Sequence, residues 1–430
     1  MEIRTLEEIL IDQKEEFLLL MKKNFVSRRE EEQVDLFSPL AQVVVGVRRS
    51  GKSTLCCNVL KKSGLSFAYV NFDDERLYSL SGAELNDVLS VLYKIYGDFE
   101  CLFIDEIQNI PEWFLFVNRL LRRGMKILIT GSNARLLSGE LATHLTGRHN
   151  KIELFPFSFP EYCDLFNIDK DSKTTKEIAF RREAFDKYLK TGGFPELLKY
   201  RVPKNYIDTL MKNIIETDIR QRYRIKYSST LSKIAWHLMN IAPAVVNYHD
   251  LQDIFSVKSL HTVENYAAYC KNAYIFAGLQ KYSVKSRQRI TNEKFYCIDV
   301  AMMNGRENAF SGENLGWRLE TIVFIELLRR CKSQMQDVYY YSDRSCEIDF
   351  VVCERNSVAV LYQVSYDISA EKTKKREISA LLQGAKKLNC RNLYLITDHE
   401  SGDIEENGVT IKIRPAFDWL IENKMQTEQQ

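Results

Sequence analysis

The stretch Gly46-Val47-Arg48-Arg49-Ser50-Gly51-Lys52-Ser53-Thr54 follows directly on the apolar run Gln42-Val43-Val44-Val45. One glycine, four open positions and Gly-Lys-Ser make the spacing at which a loop can cradle phosphate. Glycine at 46 and 51 keeps side chains out of the path along which an anion reaches the main chain. Inward-turned N–H groups form a nest there, and a helix opening near Lys52 adds the positive end of its dipole. Lys52 would meet the β- and γ-phosphates of a nucleotide, and the Ser53 hydroxyl would ligate Mg²⁺. A second stretch, "CLFIDEIQ", ends an apolar strand in Asp105 and Glu106. That pair suits a division of labour, with Asp105 in the Mg²⁺ shell and Glu106 polarising the attacking water. In a third, "KILITGSN", a strand runs into Ser132 and Asn133, either of which could touch the γ-phosphate or the lytic water. The plain alternative there is a polar strand-to-loop turn. No Asn-Lys-x-Asp base-reading element occurs, which favours ATP over GTP.

The elements that must position these residues follow from periodicity. Residues 5–23 carry apolar side chains at helical spacing, and a charged connector, "SRREEEQVDL", comes next. From 42 to about 155 the β-rich runs "QVVVGV", "FAYVNF", "CLFID" and "KILITGS" alternate with helical stretches, the pattern of a parallel sheet with crossover helices. "PFSFPEYCDLF" breaks this rhythm, and a mostly helical segment interrupted by "TGGFPE" follows. The expected division is a helix and connector over 1–35 and a nucleotide-binding core over 36–160. A helical lid over 161–227, a winged-helix-like part over 228–300 and a C-terminal α/β part over 301–430 complete it.

Five stretches, "GVRRSGKST", "FIDEIQNIPEW", "ITGSNARLLSGELATHLTGR", "PFSFPEY" and "GGFPE", resemble the prokaryotic AAA+ ATPases related to the archaeal-type ATPases. "VENYAAYCKNAYI", "KFYCIDVAM", "EIDFVV" and "YQVSYDIS" extend the likeness through the C-terminal part, so nearly the whole chain is covered. The resemblance implies an α/β P-loop NTPase core and ATP-dependent activity with Mg²⁺, and it supplies no macromolecular substrate. "LTGR" is similar to the family's motif beyond the third stretch. In such proteins an arginine at this point, here Arg148, can reach a neighbouring subunit's γ-phosphate, which implies a homo-oligomer. The alternative is a structural arginine paired with Glu140 or Glu153.

Helical stretches over 228–272 and the basic run "LQKYSVKSRQRITNEK" have the order of a winged helix, whose third helix can enter a major groove. Lys285, Arg287 and Arg289 would then track DNA phosphates. A winged helix can equally serve as a lid or protein dock, and the reading helix is sparsely basic, with Lys258, His261 and Lys271. In the last part, Glu320 on a helix, Asp349 on "EIDFVV" and "QVS" at 363–365 resemble a PD-(D/E)xK nuclease fold. Gln363 and Ser365 stand where that pattern needs an acid and a lysine, so cleavage is not expected unless Lys372, Lys374 or Lys375 has taken over the cation's role.

The chain has 430 residues, a formal net charge of +2 and 27% charged residues, so any surface for a polyanion must be local. Ten cysteines without a Cys-x-x-Cys pair read as reduced thiols of a cytoplasmic protein rather than a zinc site. No apolar run is long enough to span a bilayer. Three functions stay open: a DNA-associated ATPase, a nucleotide-dependent signalling or defence switch acting on protein partners, and an ATP-gated nuclease.

Overall fold

Four short runs of the N-terminal part bury nearly every side chain, and such runs pair in parallel because helices cover both of their faces. A computed structural model describes residues 1–132, 145, 147–225, 228–283, 293–305, 314–355, 357–406 and 408–422. The chain divides into two compact units, residues 1–156 with 272–274, and residues 157–271 with 275–430.

The first unit opens with helix α1 (Ile3–Met21). Strand β1 (Ala41–Val45) leads into α2 (Lys52–Ser63), and β2 (Phe67–Asn71) into α3 (Leu85–Tyr96). Next come β3 (Cys101–Asp105), α4 (Trp113–Arg122), β4 (Lys126–Gly131) and β5 (His149–Glu153). The order across the sheet is β2-β3-β4-β1-β5, all parallel. β4 therefore separates the strand that feeds the glycine loop from the strand that ends in Asp105, and the C-terminal ends of all three lie side by side. Ligands of open parallel sheets bind at such ends. Four of the five strands match the apolar runs of the sequence. "HNKIE" of β5 was not among them, because at this edge position only Ile152 is buried.

The charged connector is not a solvated linker. Arg28 is buried, and its guanidinium donates to the Ser50 carbonyl (3.1 Å) and the Phe155 carbonyl (2.7 Å). Residues Arg29–Gln33 form a 3-10 turn, where Glu31 takes the Arg28 N–H at 2.8 Å and pairs with Lys62 at 2.6 Å. One arginine thus ties the connector to the glycine loop.

The second unit runs through α5 (Phe159–Leu165), α6 (Thr175–Thr191), α7 (Pro195–Lys199) and α8 (Tyr206–Asn213). Helix α9 (Ser228–Ile241), β6 (Ala244–Val245), α10 (Tyr248–Ile254), α11 (Leu260–Asn272), β7 (Phe276–Gln280) and β8 (Glu293–Cys297) follow. β6, β8 and β7 form an antiparallel sheet in that order. The remainder comprises α12 (Leu315–Gln334), β9 (Gln336–Ser342), β10 (Glu347–Glu354), β11 (Ser357–Val364), α13 (Glu371–Leu388), β12 (Leu393–Thr397), β13 (Gly402–Glu406), β14 (Val409–Pro415) and α14 (Ala416–Ile421). Its mixed sheet has the order β13-β14-β12-β11-β10-β9.

The recurring stretches "TGGFPE" and "CIDVAM" meet here. Asp299 accepts the N–H groups of Gly193 and Ala301, each at 2.8 Å. Gly192 has φ +73°, and a Cβ on it would come within 1.9 Å of the Asp299 carboxylate. Buried Arg318 donates to the Val300 carbonyl at 3.2 Å and to Asn304 at 2.6 Å. These motifs hold the fold rather than a reactant.

Candidate nucleotide site

The loop after β1 is shaped by its glycines. A Cβ on Gly46 would lie 2.1 Å from the Leu154 carbonyl oxygen of the chain beyond β5. Arg49 (φ +68°) and Gly51 (φ +96°) are left-handed, which turns the chain sharply into α2. Lys52 is buried, and its ammonium donates to the carbonyls of Gly46 and Val47, both at 3.3 Å, while Glu106 Oε1 lies 3.9 Å away. Val47 and Ser50 are buried, Ser53 and Thr54 half-buried, and Arg49 exposed. Arg48 reaches outward to Asp73 (3.3 Å).

The two acids stand in different surroundings. Asp105 is buried, and its carboxyl is pushed up to about 6 by burial and then by the charge of Glu106, against the Ser53 and Thr130 hydroxyls and Lys52. Thr130 Oγ1 donates to Asp105 Oδ1 in a short hydrogen bond. Glu106 also feels burial as its largest influence. Lys52, the Ser132 N–H and the Gln108 amide outweigh it and hold Glu106 below the usual carboxylate range. The Ser132 N–H (3.1 Å) and hydroxyl (3.0 Å) both donate to Glu106 Oε2. Burial thus weighs differently on the two acids, offset at Glu106 by Lys52 and by the Ser132 and Gln108 donors and not offset at Asp105.

The residues present fit a Mg²⁺-nucleotide. The Ser50 hydroxyl is fully buried with no hydrogen-bond partner among the described residues. Ser53 and Asp105 together offer the hard oxygen donors that Mg²⁺ prefers.

Known proteins resemble this chain over most of its length. The AAA domain family matches residues 38–163, and two domains of unknown function, DUF8612 and DUF4143, match residues 182–311 and 315–414. An uncharacterized protein of Methanocaldococcus jannaschii is 32% identical over 96% of this chain and 95% of its own length. The chain belongs to one family with this protein and carries an AAA domain over residues 38–163. An uncharacterized protein of Haemophilus influenzae is 30% identical over 89% of this chain and 94% of its own. Among solved structures, a Walker-type ATPase of Pyrococcus abyssi is 15% identical, covering 66% of this chain and 99% of that one, with a TM-score of 0.43. That last likeness carries no argument.

Within the AAA domain, the structure brings Gly46, Val47, Ser50, Gly51, Lys52, Ser53, Asp105, Glu106 and Ser132 to one place. Asn133 lies outside the described residues, as do Lys285, Arg287 and Arg289. Arg148 is exposed, and no described residue forms an ion pair with it. Glu153, its suggested partner, pairs instead with Lys151 at 2.5 Å. Three contributors went unnoticed in the sequence: Thr130, Arg28 and Asp73. Thr130 had a signal, because it shares a strand face with Ser132 two residues on, in an otherwise apolar run.

In the second unit, Glu320 and Asp349 do come together, close enough that the Glu320 charge helps raise the Asp349 carboxyl after burial has done so. The Gln363 amide oxygen accepts the Asp349 N–H (3.4 Å), and its nitrogen donates to Glu377 (2.9 Å). Ser365 turns to the Asp367 carbonyl at 3.3 Å. The cation beside these acids is Lys294 of β8, not a lysine of α13. Lys375, for example, is exposed and pairs with Glu371 at 3.3 Å. Among the described residues no helix is long and apolar enough to cross a membrane.

Proposed function

We propose that the AAA domain binds Mg²⁺-ATP and hydrolyses it. The observation that supports this best is the pairing of an ionised Glu106, held by Lys52 and Ser132, with a buried Asp105 beside Ser53. Lys52 would exchange its weak bonds to two carbonyls for the β- and γ-phosphates. The loop N–H groups and Ser50 would take phosphate oxygens, and Ser53 and Asp105 would hold Mg²⁺, which neutralises phosphate charge when bound. Glu106, fixed through one oxygen by Ser132, keeps the other for a water proton. Asn133 and Arg148 remain candidates for the γ-phosphate, the latter from a second copy.

The test is turnover and nucleotide binding on the full chain. Lys52→Ala should bind ATP at least about a hundredfold more weakly, whereas Glu106→Gln should bind it normally and turn it over at least about a hundredfold more slowly. Wild-type turnover by Glu106→Gln would remove that glutamate from the reaction. Mixing Lys52→Ala with Arg148→Ala protein should restore part of the turnover if Arg148 acts in trans.

We further propose association with DNA through residues 228–300. The order helix, strand, two helices, two strands, with β8 central in its sheet, supports a winged-helix reading. The same region also argues for a weak reading helix. Lys271 is committed to Glu293 at 2.6 Å, leaving Lys258 and His261 exposed on its N-terminal side. Stimulation of turnover by duplex DNA, lost on replacing Lys285, Arg287 and Arg289 with alanine, is the expected result. No stimulation by DNA would favour a switch acting on protein partners. The cytoplasmic setting is part of this proposal.

A further inference from the structure

Four elements of the second unit converge on one charged cluster. Glu320 comes from α12, Glu347 and Asp349 from β10, and Lys294 with Tyr296 from β8. The Lys294 ammonium lies 2.9 Å from Glu347 Oε1 and 3.6 Å from Glu320 Oε1, and 5.5 Å over the Tyr340 ring of β9. The Tyr296 hydroxyl donates to Glu320 Oε1 at 2.7 Å, and Asp349 Oδ2 accepts the Val364 N–H at 2.8 Å. Lys294 is 8% exposed, so its charge is taken out of water and must be answered by the carboxylates around it.

Glu320 and Asp349 are largely buried and Glu347 is half exposed, and among the described residues no group of three or more His, Cys, Asp and Glu is placed to hold a metal ion. Here one oxygen of each is already engaged, and the charge that balances them belongs to the chain itself. An incoming divalent ion would have to displace an ammonium that is nine-tenths buried. We infer that Lys294 is the resident cation of this carboxylate site, holding the position a divalent ion would need. Because β8 belongs to the three-stranded sheet and Glu320, Glu347 and Asp349 to the six-stranded sheet and its helix, the same contact fastens the DUF8612 and DUF4143 regions together. The cluster is a charged joint, and it binds no metal while the lysine is in place.

The experiment is thermal melting of the full chain without nucleotide, with and without about 1 mM Mn²⁺ as probe. Wild type should show no Mn²⁺-dependent shift that depends on Asp349. Lys294→Met strands buried carboxylates and should melt roughly 5–15 °C lower, with Lys294→Arg close to wild type. Mn²⁺ should restore part of the loss in Lys294→Met, and should fail to do so in Lys294→Met/Asp349→Asn. If Lys294→Met does not fold while Lys294→Arg does, the requirement for the charge is met by that result. The inference is overturned if Mn²⁺ raises the wild-type melting temperature and Asp349→Asn abolishes that rise. It is equally overturned if Lys294→Met melts like wild type, if Mn²⁺ gives it no rescue, or if Lys294→Arg fails to fold.

Discussion

Two buried lysines face carboxylates in this molecule, and they are held in opposite ways. Lys52 makes two long bonds to main-chain carbonyls and stands 3.9 Å from Glu106, beside a buried serine hydroxyl that has no partner among the described residues. Lys294 touches Glu347 at 2.9 Å and is enclosed by Glu320, Tyr296 and Tyr340. Weakly bonded charge next to unsatisfied polar atoms is a site waiting for a ligand, since arrival improves every contact. A lysine already bonded to a carboxylate has less to gain from a newcomer than one bonded only to carbonyls. Two sites of the same residue types are thus told apart by what the lysine bonds, main-chain carbonyls at Lys52 and a carboxylate at Lys294.

The contrast can be broken by exchanging the two readouts. Lys52→Met should abolish nucleotide binding with only a small drop in melting temperature, and Lys294→Met should do the reverse. A large melting loss in Lys52→Met would mean that the loop lysine is structural too. A smaller effect probes the support of the loop. Arg28→Ala removes two charged hydrogen bonds, one to the loop carbonyl of Ser50 and one to the Phe155 carbonyl beyond β5, and should cost on the order of 2–4 kcal/mol, with ATP affinity about tenfold weaker. Chemical denaturation and nucleotide titration read the two separately, and an unaffected affinity would show that Arg28 stabilises the unit without shaping the loop.

The smallest effect sharpens the electrostatics. Asp105 sits near 6 in the fold against an ordinary 3.8, so the folded chain keeps a proton that the unfolded chain releases as pH climbs between those values. Stability of the nucleotide-free protein is therefore lost as pH rises through about 6. Asp105→Asn should be more stable than wild type at pH 8, by on the order of 1–3 kcal/mol, with the difference shrinking toward pH 5. Urea melts at the two values check the sign, and an Asp105→Asn protein weaker than wild type at pH 8 would refute it.

How far the sequence carried the structure depended on the distance between partners. β1, β3 and β4 were legible because each is a short apolar run stopped by glycine or acid, and their ends carry Lys52, Asp105, Glu106 and Ser132. Arg28 was not, because its partners are carbonyls 22 and 127 residues away and a carbonyl leaves no mark on residue type. Lys294 hid within a basic run read as part of a winged helix, since Glu320 and Glu347 lie on other elements. Asp349 was legible as an acid on a strand, while the neighbour that neutralises it was not. β13, with "GDIEE" mostly exposed, carries no apolar alternation for any reading to catch.

The two margins of the parallel sheet bear on how copies of this protein can assemble. At β2, the Gln13 side chain of α1 mimics another strand, accepting the Asn71 N–H at 2.9 Å and donating to its carbonyl at 3.0 Å. At β5, the Asn150 amide donates to the Gln33 carbonyl of the connector at 2.9 Å. An unpaired strand margin invites a second copy to add its own strand, and here both margins already have company at these points. Self-association by joining sheets end to end is discouraged at each flank. A strand from another chain would have to displace these side-chain bonds before it could lengthen the sheet at either flank.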